Sequence, residues 1–364
     1  MLSSLLAPLR GMLRPHFSLS KTRLETLAVL IVGLVNSRTV NLSHLASQFP
    51  GAALHASNYR RLQRFFQYVH LDGEAVAPLV MRMLVPGRPA VLALDRTNWK
   101  LGRKDVNILV LAIATRRFRV PLLWTVLDHP GNSNTDQRIA LMERYLALFG
   151  VSSIKMLLAD REFIGATWLE FLCKNNIPFA IRLKEDMQVR LEGGILHPFR
   201  SLMRKERTAR RWTGWLNGMA LVPENRLGFA AKRLRTGEKL VIATNTGNPG
   251  AALNAYRKRW GIECLFADTK TRGFNIEDTH LTDPAKIATL LAVVTLACIW
   301  ACRSATATMG RRAPRRKTHG RMEKSWFRIG LDALRRAIIH QPEKAIRAWE
   351  QNWPKRPVIT GLTP

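Results

Sequence analysis

Cysteine is scarce in this chain. Four occur in 364 residues, Cys173, Cys264, Cys298 and Cys302, and no two of them form a CxxC pair. That excludes a disulfide framework and a cysteine-based zinc site, so the four are expected to be reduced and largely buried. Acid is scarce as well. Asp plus Glu total 26 against 57 Lys plus Arg, a formal charge of +31. Long apolar runs are missing. The longest, Ile287 to Ala301, falls short of the roughly 18–20 residues of a membrane span and is closed by Lys286 and Arg303. It reads as a buried core helix. The opening stretch, MLSSLLAPLRGMLRPHF, has no long apolar h-region and no small-residue cleavage site. The expectation is a cytoplasmic, nucleoid-associated protein that needs no membrane. No internal repeat is found.

What is abundant is positive charge, and it is spread along the chain. Clusters stand at Arg60-Arg61-Arg64, Arg116-Arg117-Arg119, Arg204-Lys205-Arg207-Arg210-Arg211 and Arg311-Arg312-Arg315-Arg316-Lys317. A single cluster reads as a solvated face. The total does not, because such an imbalance repels itself unless a polyanion offsets it. Hydrophobic residues make up 47% of the chain, which is globular, and the length allows two or three modules.

Residues 20–85 read as helices. In SNYRRLQRFFQYV, Arg60, Arg61 and Arg64 interleave with Tyr59, Phe65 and Phe66, with Ser57 or Asn58 placed to cap. Small basic, aromatic helices of this kind suit DNA contact. From residue 89 the period changes. AVLALD, NILVLAIAT and RVPLLWTVLD read as three strands. A helix over NSNTDQRIALMERYLALFG, a strand IKMLLAD, a helix over REFIGATWLEFLCKNN and a strand IPFAIRLK follow. This order is the ribonuclease H-like one, a mixed sheet with flanking helices. Residues 185–248 read as short strands with Gly turns, a β-rich insertion.

The expected organisation is thus a helical N-terminal DNA-binding region (1–86), the first part of an α/β core (87–184) and the insertion (185–248). The second part of the core (249–305) and a basic helical C-terminal region (306–364) complete it.

The densest information lies in AYRKRWGIECLFADTKTRG. Tyr256, Arg259, Glu263 and Lys270 are spaced Y-x2-R-x3-E-x6-K. At roughly 100° per residue on one helix they fall within about 60° of each other, with Asp268 well off that face. A carboxylate flanked by cations suits a metal ion beside a phosphate. Asp95 ends the first predicted strand and Asp160 the fourth. In this strand order those two strands are neighbours, and Glu263 reaches them from the following helix. Three hard oxygen donors suit two Mg²⁺ ions, with Mn²⁺ able to substitute, roughly 3.5–4 Å apart. Asp128 and Asp136 flank a turn and a helix start, where caps are common. Glu162 is expected to pair with a local cation.

LALDRTNWK, LLADREFIG and YRKRWGIECLFADTK resemble the three catalytic blocks of DDE transposases of the insertion-sequence-4 family. LDHPGNSNT and SNYRRLQRFF are similar to that family as well, over about residues 20–340. The resemblance implies a ribonuclease H-like core interrupted by a β-rich insertion, with Asp95, Asp160 and Glu263 as the metal-binding catalytic triad. It implies that Tyr256, Arg259 and Lys270 hold DNA phosphates. It also implies binding of double-stranded DNA, both terminal inverted repeats and target. Metal-dependent cut-and-paste excision and strand transfer would follow, carried out by a dimer in the synaptic complex. Some members excise through a hairpin and flip a base, for which Trp260, Trp212 and Trp215 are the stacking candidates. The other reading is a catalytically silent or domesticated DNA-binding protein. All three carboxylates are retained, which favours the enzyme.

Overall fold

The computed structural model describes residues 2–101, 104–203, 209–259, 261–270, 272–318 and 322–350. Five helices come first: α1 (Leu2–Leu13), α2 (Lys21–Ser37), α3 (Leu42–Ala46), α4 (His55–Tyr68) and α5 (Gly73–Leu84). Ser20 caps α2, its side chain accepting from the Arg23 amide. α2 is buried on nearly all sides from Leu24 to Val35, which is why its sequence is apolar beyond a single stripe. α4 is amphipathic, burying Leu62, Phe65 and Phe66. Neither Ser57 nor Asn58 caps it. The helix begins earlier, at His55, and Asn58 lies buried inside it with its side-chain amide donating to the Ala53 carbonyl at 3.5 Å.

The sheet follows: β1 (Ala90–Leu101), β2 (Lys104–Ala114), β3 (Arg119–Leu127), α6 (Thr135–Phe149), β4 (Ile154–Ala159), α7 (Ala166–Lys174) and β5 (Phe179–Leu183). Asn134 and Gln137 form a reciprocal capping box at the start of α6, satisfying two amides that would otherwise lack partners. β6 (Gln188–Leu191), β7 (Leu196–Pro198), α8 (Phe199–Leu202), β8 (Arg210–Leu216), β9 (Leu227–Arg233) and β10 (Lys239–Thr244) come next. Among the described residues all ten strands form one sheet, ordered β3-β2-β1-β4-β5-β10-β9-β8-β6-β7. β1 with β4 and β4 with β5 are parallel, and the other neighbours are antiparallel. The strands of residues 185–248 extend the core sheet through the β10–β5 pairing.

β1 and β4 lie side by side as the strand order predicts, but Asp95 does not end its strand. β1 continues to Leu101 because it stays paired with β2 as far as the Leu101–Lys104 register. β4 is the strand that stops, after the Leu94–Ala159 pair. Asp95 is therefore the first residue of β1 to lose its β4 neighbour, and Asp160 is the residue that leaves.

α9 (Pro249–Tyr256), α10 (Gly261–Thr269), α11 (Pro284–Met309), α12 (Trp326–His340) and α13 (Pro342–Glu350) complete the chain. α11 is long and apolar enough to cross a bilayer by length and composition. Here it is a core helix, packed against α2, α5, α12 and β3. Gly330 permits the closest of these approaches: a Cβ there would stand 1.9 Å from the Ala301 carbonyl oxygen, so any side chain would push α12 off α11. Arg303, buried in α11, donates to the Ala348 and Met83 carbonyls at 3.0 and 3.1 Å. Those bonds let a charge sit in the core.

Candidate active site

Three carboxylates from three elements meet at one guanidinium. Asp95 comes from β1, Asp160 from the end of β4 and Glu263 from the first turn of α10. Arg259 reaches Asp95 at 3.1 Å, Asp160 at 3.1 Å and Glu263 at 3.0 Å. The arginine side chain is 11% exposed and that of Asp95 10%. Local backbone fixes both aspartates: the Arg96 amide donates to Asp95 and the Arg161 amide to Asp160, each at 2.8 Å. The Tyr256 hydroxyl donates to Asp160 at 3.2 Å.

Charge alone does not balance here. Burial pushes the Asp95 carboxyl up to about 6, despite the opposing pull of Arg259 and the Arg96 amide, with Glu162 and Asp160 adding to the rise. Burial would lower the Arg259 guanidinium, but Asp95, Asp160, Tyr256 and Glu263 together hold it above its ordinary value. Tyr256 is held well above the usual phenol range by burial and by Asp160. The pocket keeps surplus negative charge even with its arginine in place.

The four motif residues do not share one helix. α9 ends at Tyr256 and α10 starts at Gly261. Between them the chain tightens, with Lys258 bonding to Ala255, Arg259 to Tyr256 and Gly261 to Lys258, each three residues back. Arg259 therefore stands in a turn that aims it at the carboxylates. Arg119 lies against Gly261, and a Cβ there would come within 1.7 Å of the Arg119 Nε, so a side chain would displace that guanidinium. Lys270 lies just past α10, bonded to the Asn98 carbonyl at 2.9 Å and paired with Glu277 at 3.2 Å. It touches β1 beyond Asp95 and makes no ion pair with the triad among the described residues.

Asp268 faces away, as its helical phase predicts, within electrostatic reach of Cys298 and Cys302 on α11. Burial pushes its carboxyl up to about 7, against a lowering by Arg272. A raised folded value means that its stabilising neutral form is fully present below the unfolded value near 4 and is lost as pH rises through about 7. Asp268→Asn is therefore expected to raise the thermal midpoint at about pH 8 and to leave it unchanged near pH 4, read by calorimetry. Equal gains at both values would refute the assignment.

A second network braces the aspartates. Arg96 pairs with Glu162 at 3.5 Å, the local cation partner expected for that acid. It also donates to Asn98 at 2.8 Å, Asn107 at 3.1 Å and Asn132 at 3.4 Å. Asn107 in turn donates to the His129 and Gly131 carbonyls at 3.0 and 2.8 Å. These ties join β1, β2, the 128–134 loop and the turn after β4. Sequence reading missed Arg96 and Asn107. The available signal was a polar asparagine at the head of the apolar run NILVLAIAT.

The remaining candidates scatter. Arg60 and Arg64 are exposed on α4, whereas Arg61 turns inward to Glu25 at 3.2 Å and lies over the Phe49 ring at 5.1 Å. Trp212 and Trp215 stand on β8, both half-buried. The Trp215 indole donates to the Val222 carbonyl at 2.8 Å. Trp260 lies outside the described residues. Asp128 is exposed, and Asp136 sits in the first turn of α6, where Asn134 is the cap.

Hard carboxylate oxygens with surplus negative charge fit divalent metal. Among the described residues no three Asp, Glu, His or Cys side chains are already arranged around one metal point, and Arg259 occupies the middle of the carboxylate cluster.

The fold is a large mixed α/β sheet with flanking helices, carrying one acid within β1, one just past β4 and a third on α10. Residues 86–300 match the family described as Transposase DDE domain. The match covers more than half of the chain, and the chain belongs to that family of DNA-binding, DNA-recombining proteins. The matched span runs from just before β1 to within α11 and contains Asp95, Asp160 and Glu263. Among solved structures, a piggyBac transposase synaptic complex with hairpin DNA is similar with a TM-score of 0.45 and 9% identity, over 99% of this chain and 80% of that one. No curated protein sequence matches.

Proposed function

We propose that the chain is the transposase of an insertion sequence of the insertion-sequence-4 type, built on a ribonuclease H-like core. In this reading it binds the terminal inverted repeats of its element on nucleoid DNA, excises the element and joins it to a target duplex, working as a synaptic dimer. The observation that carries the reading is the convergence of Asp95, Asp160 and Glu263 on Arg259.

Asp95, Asp160 and Glu263 would hold two Mg²⁺ ions, or Mn²⁺ in their place. Bound there, divalent metal supplies Lewis-acid activation of a water or 3′-hydroxyl and neutralises charge on the leaving oxygen. The chain's own groups do the rest. The Arg96 and Arg161 amides keep one oxygen of each aspartate fixed, so the other oxygens face the cluster. Arg259 supplies a fork of donors whose terminal nitrogens hold Asp95, Asp160 and Glu263 in place. Tyr256 adds a hydroxyl that stays protonated. Lys270, held at the far end of β1 by Asn98 and Glu277, suits a phosphate farther along the strand. The exposed side of α4, with Arg60 and Arg64, suits the repeat. Trp212 and Trp215 remain candidates for stacking a flipped base.

The test is excision. A plasmid carrying the element between its terminal repeats, incubated with purified protein and Mg²⁺, is expected to release a linear element cut at the repeat boundaries. Tight, selective binding of the repeats with no released element in Mg²⁺ or Mn²⁺ would favour the silent DNA-binding reading instead.

A further inference from the structure

The C-terminal helices hold a second cationic feature, separate from the carboxylate cluster. A groove of about 750 Å³ lies between α11, α12 and α13, lined in part by small side chains such as Ala307 and Ala337. Arg336 and His340 of α12 and Lys344 and Arg347 of α13 line it, and all four are exposed. No acid lines it. The single acid of α12, Asp332, is already held by Lys324 and Arg328, each at 2.9 Å. Among the described residues no ion pair engages Arg336, Lys344 or Arg347.

Two further observations point to a ligand. Ser304 lines the groove, is 4% exposed, and its hydroxyl has no hydrogen-bond partner among the described residues. A serine inside a helix ordinarily bonds to the carbonyl four residues back, as Thr306 does with Cys302 at 3.2 Å. An orphaned buried hydroxyl costs free energy until an acceptor arrives. The cationic surface also continues past the groove. Arg312 donates to the carbonyl of Thr308, a lining residue, at 3.2 Å, and Arg311 and Arg312 are exposed. Gln341 and Lys344, at the start of α13, line the same space, and the first turn of that helix also carries the exposed Glu343.

We propose that this groove binds the phosphate backbone of a duplex DNA segment other than the one at the carboxylates. A lone phosphate would not need cations on two helices and a following loop, whereas a continuous backbone would. The proposal rests on the transposase reading for the identity of the polyanion.

The test uses the full chain with Arg336→Gln, Lys344→Gln and Arg347→Gln combined, three exposed changes that spare the core. Binding to a labelled repeat duplex and to a random duplex is measured across a salt series. The expected result is a salt slope shallower by about 2 to 3, since each phosphate contact contributes roughly 0.9, with end cleavage retained. A photo-crosslinker placed at Gln341 should also capture DNA. Wild-type binding with an unchanged slope in the triple variant, and no crosslink, overturns the proposal while leaving the transposase reading intact. Tight binding of inorganic tripolyphosphate that the triple variant loses, with the DNA slope unchanged, also overturns it and makes the groove a small-anion site. A wild-type chain that binds neither duplex sinks both readings.

Discussion

Asp95→Asn is expected to abolish strand cleavage, by on the order of a thousandfold or ~4 kcal/mol of transition-state stabilisation, while the fold survives. The asparagine keeps an oxygen to accept the Arg96 amide, now 2.8 Å from the carboxylate. It removes the negative charge that metal binding requires. Arg259 retains Asp160 and Glu263 at 3.1 and 3.0 Å, so no buried charge is left alone. Asp95 is also a costly residue to keep ionised, since burial pushes it to about 6. Its retention makes sense at a site that sacrifices stability for chemistry. The measurement is cleavage of a repeat-bearing duplex beside circular dichroism and thermal melting. Unchanged cleavage would remove Asp95 from the chemistry, and loss of the folded signal would make its role structural.

Arg259→Ala is the second large effect, and its sign depends on what else is present. Arg259 is the common partner of all three carboxylates. Removing one side of a fully buried ion pair costs roughly 3–5 kcal/mol, and the cost here is smaller because Asp160 and Glu263 are 21% and 41% exposed and partly screened by solvent. The thermal midpoint near neutral pH should fall by several degrees. Added Mn²⁺ should restore more stability to the variant than to the wild type, because a divalent ion can take over the counter-charge that the guanidinium supplied. Arg259→Lys should recover part of the stability but little cleavage, since an ammonium cannot reproduce the fork. A variant as stable as the wild type, or one that ignores Mn²⁺, would mean that the carboxylates do not form a cation site.

Much of this site could be read from residue order, and what escaped was geometry. The order of apolar runs put Asp95 and Asp160 on neighbouring strands. Chain order could not show that β1 outlasts β4, since its extension depends on hairpin pairing with β2 across residues 101–104. The Y-x2-R-x3-E-x6-K spacing put four side chains on one face on the assumption of one unbroken helix. The break after Tyr256 keeps Arg259 on the carboxylates and sends Lys270 to Asn98 and Glu277. Glu277 lies seven residues beyond the motif and carried no signal. The span 185–248 holds β6 to β10 with the short helix α8 among them, and the β10–β5 pairing that merges these strands into the core sheet is a long-range contact no local pattern encodes. Arg61 shows the limit for surface charge. It sits in the same basic run as Arg60 and Arg64, and only packing against Glu25 and Phe49 sets it apart.

The most direct test of the account is cleavage of a labelled duplex carrying the element's terminal repeat, in Mg²⁺, by the wild type and by Asp160→Ala. The account predicts metal-dependent nicking at the repeat boundary by the wild type and none by the variant, with both proteins still binding the duplex. Equal nicking by both, or binding by both with no nicking by either in Mg²⁺ or Mn²⁺, would contradict it.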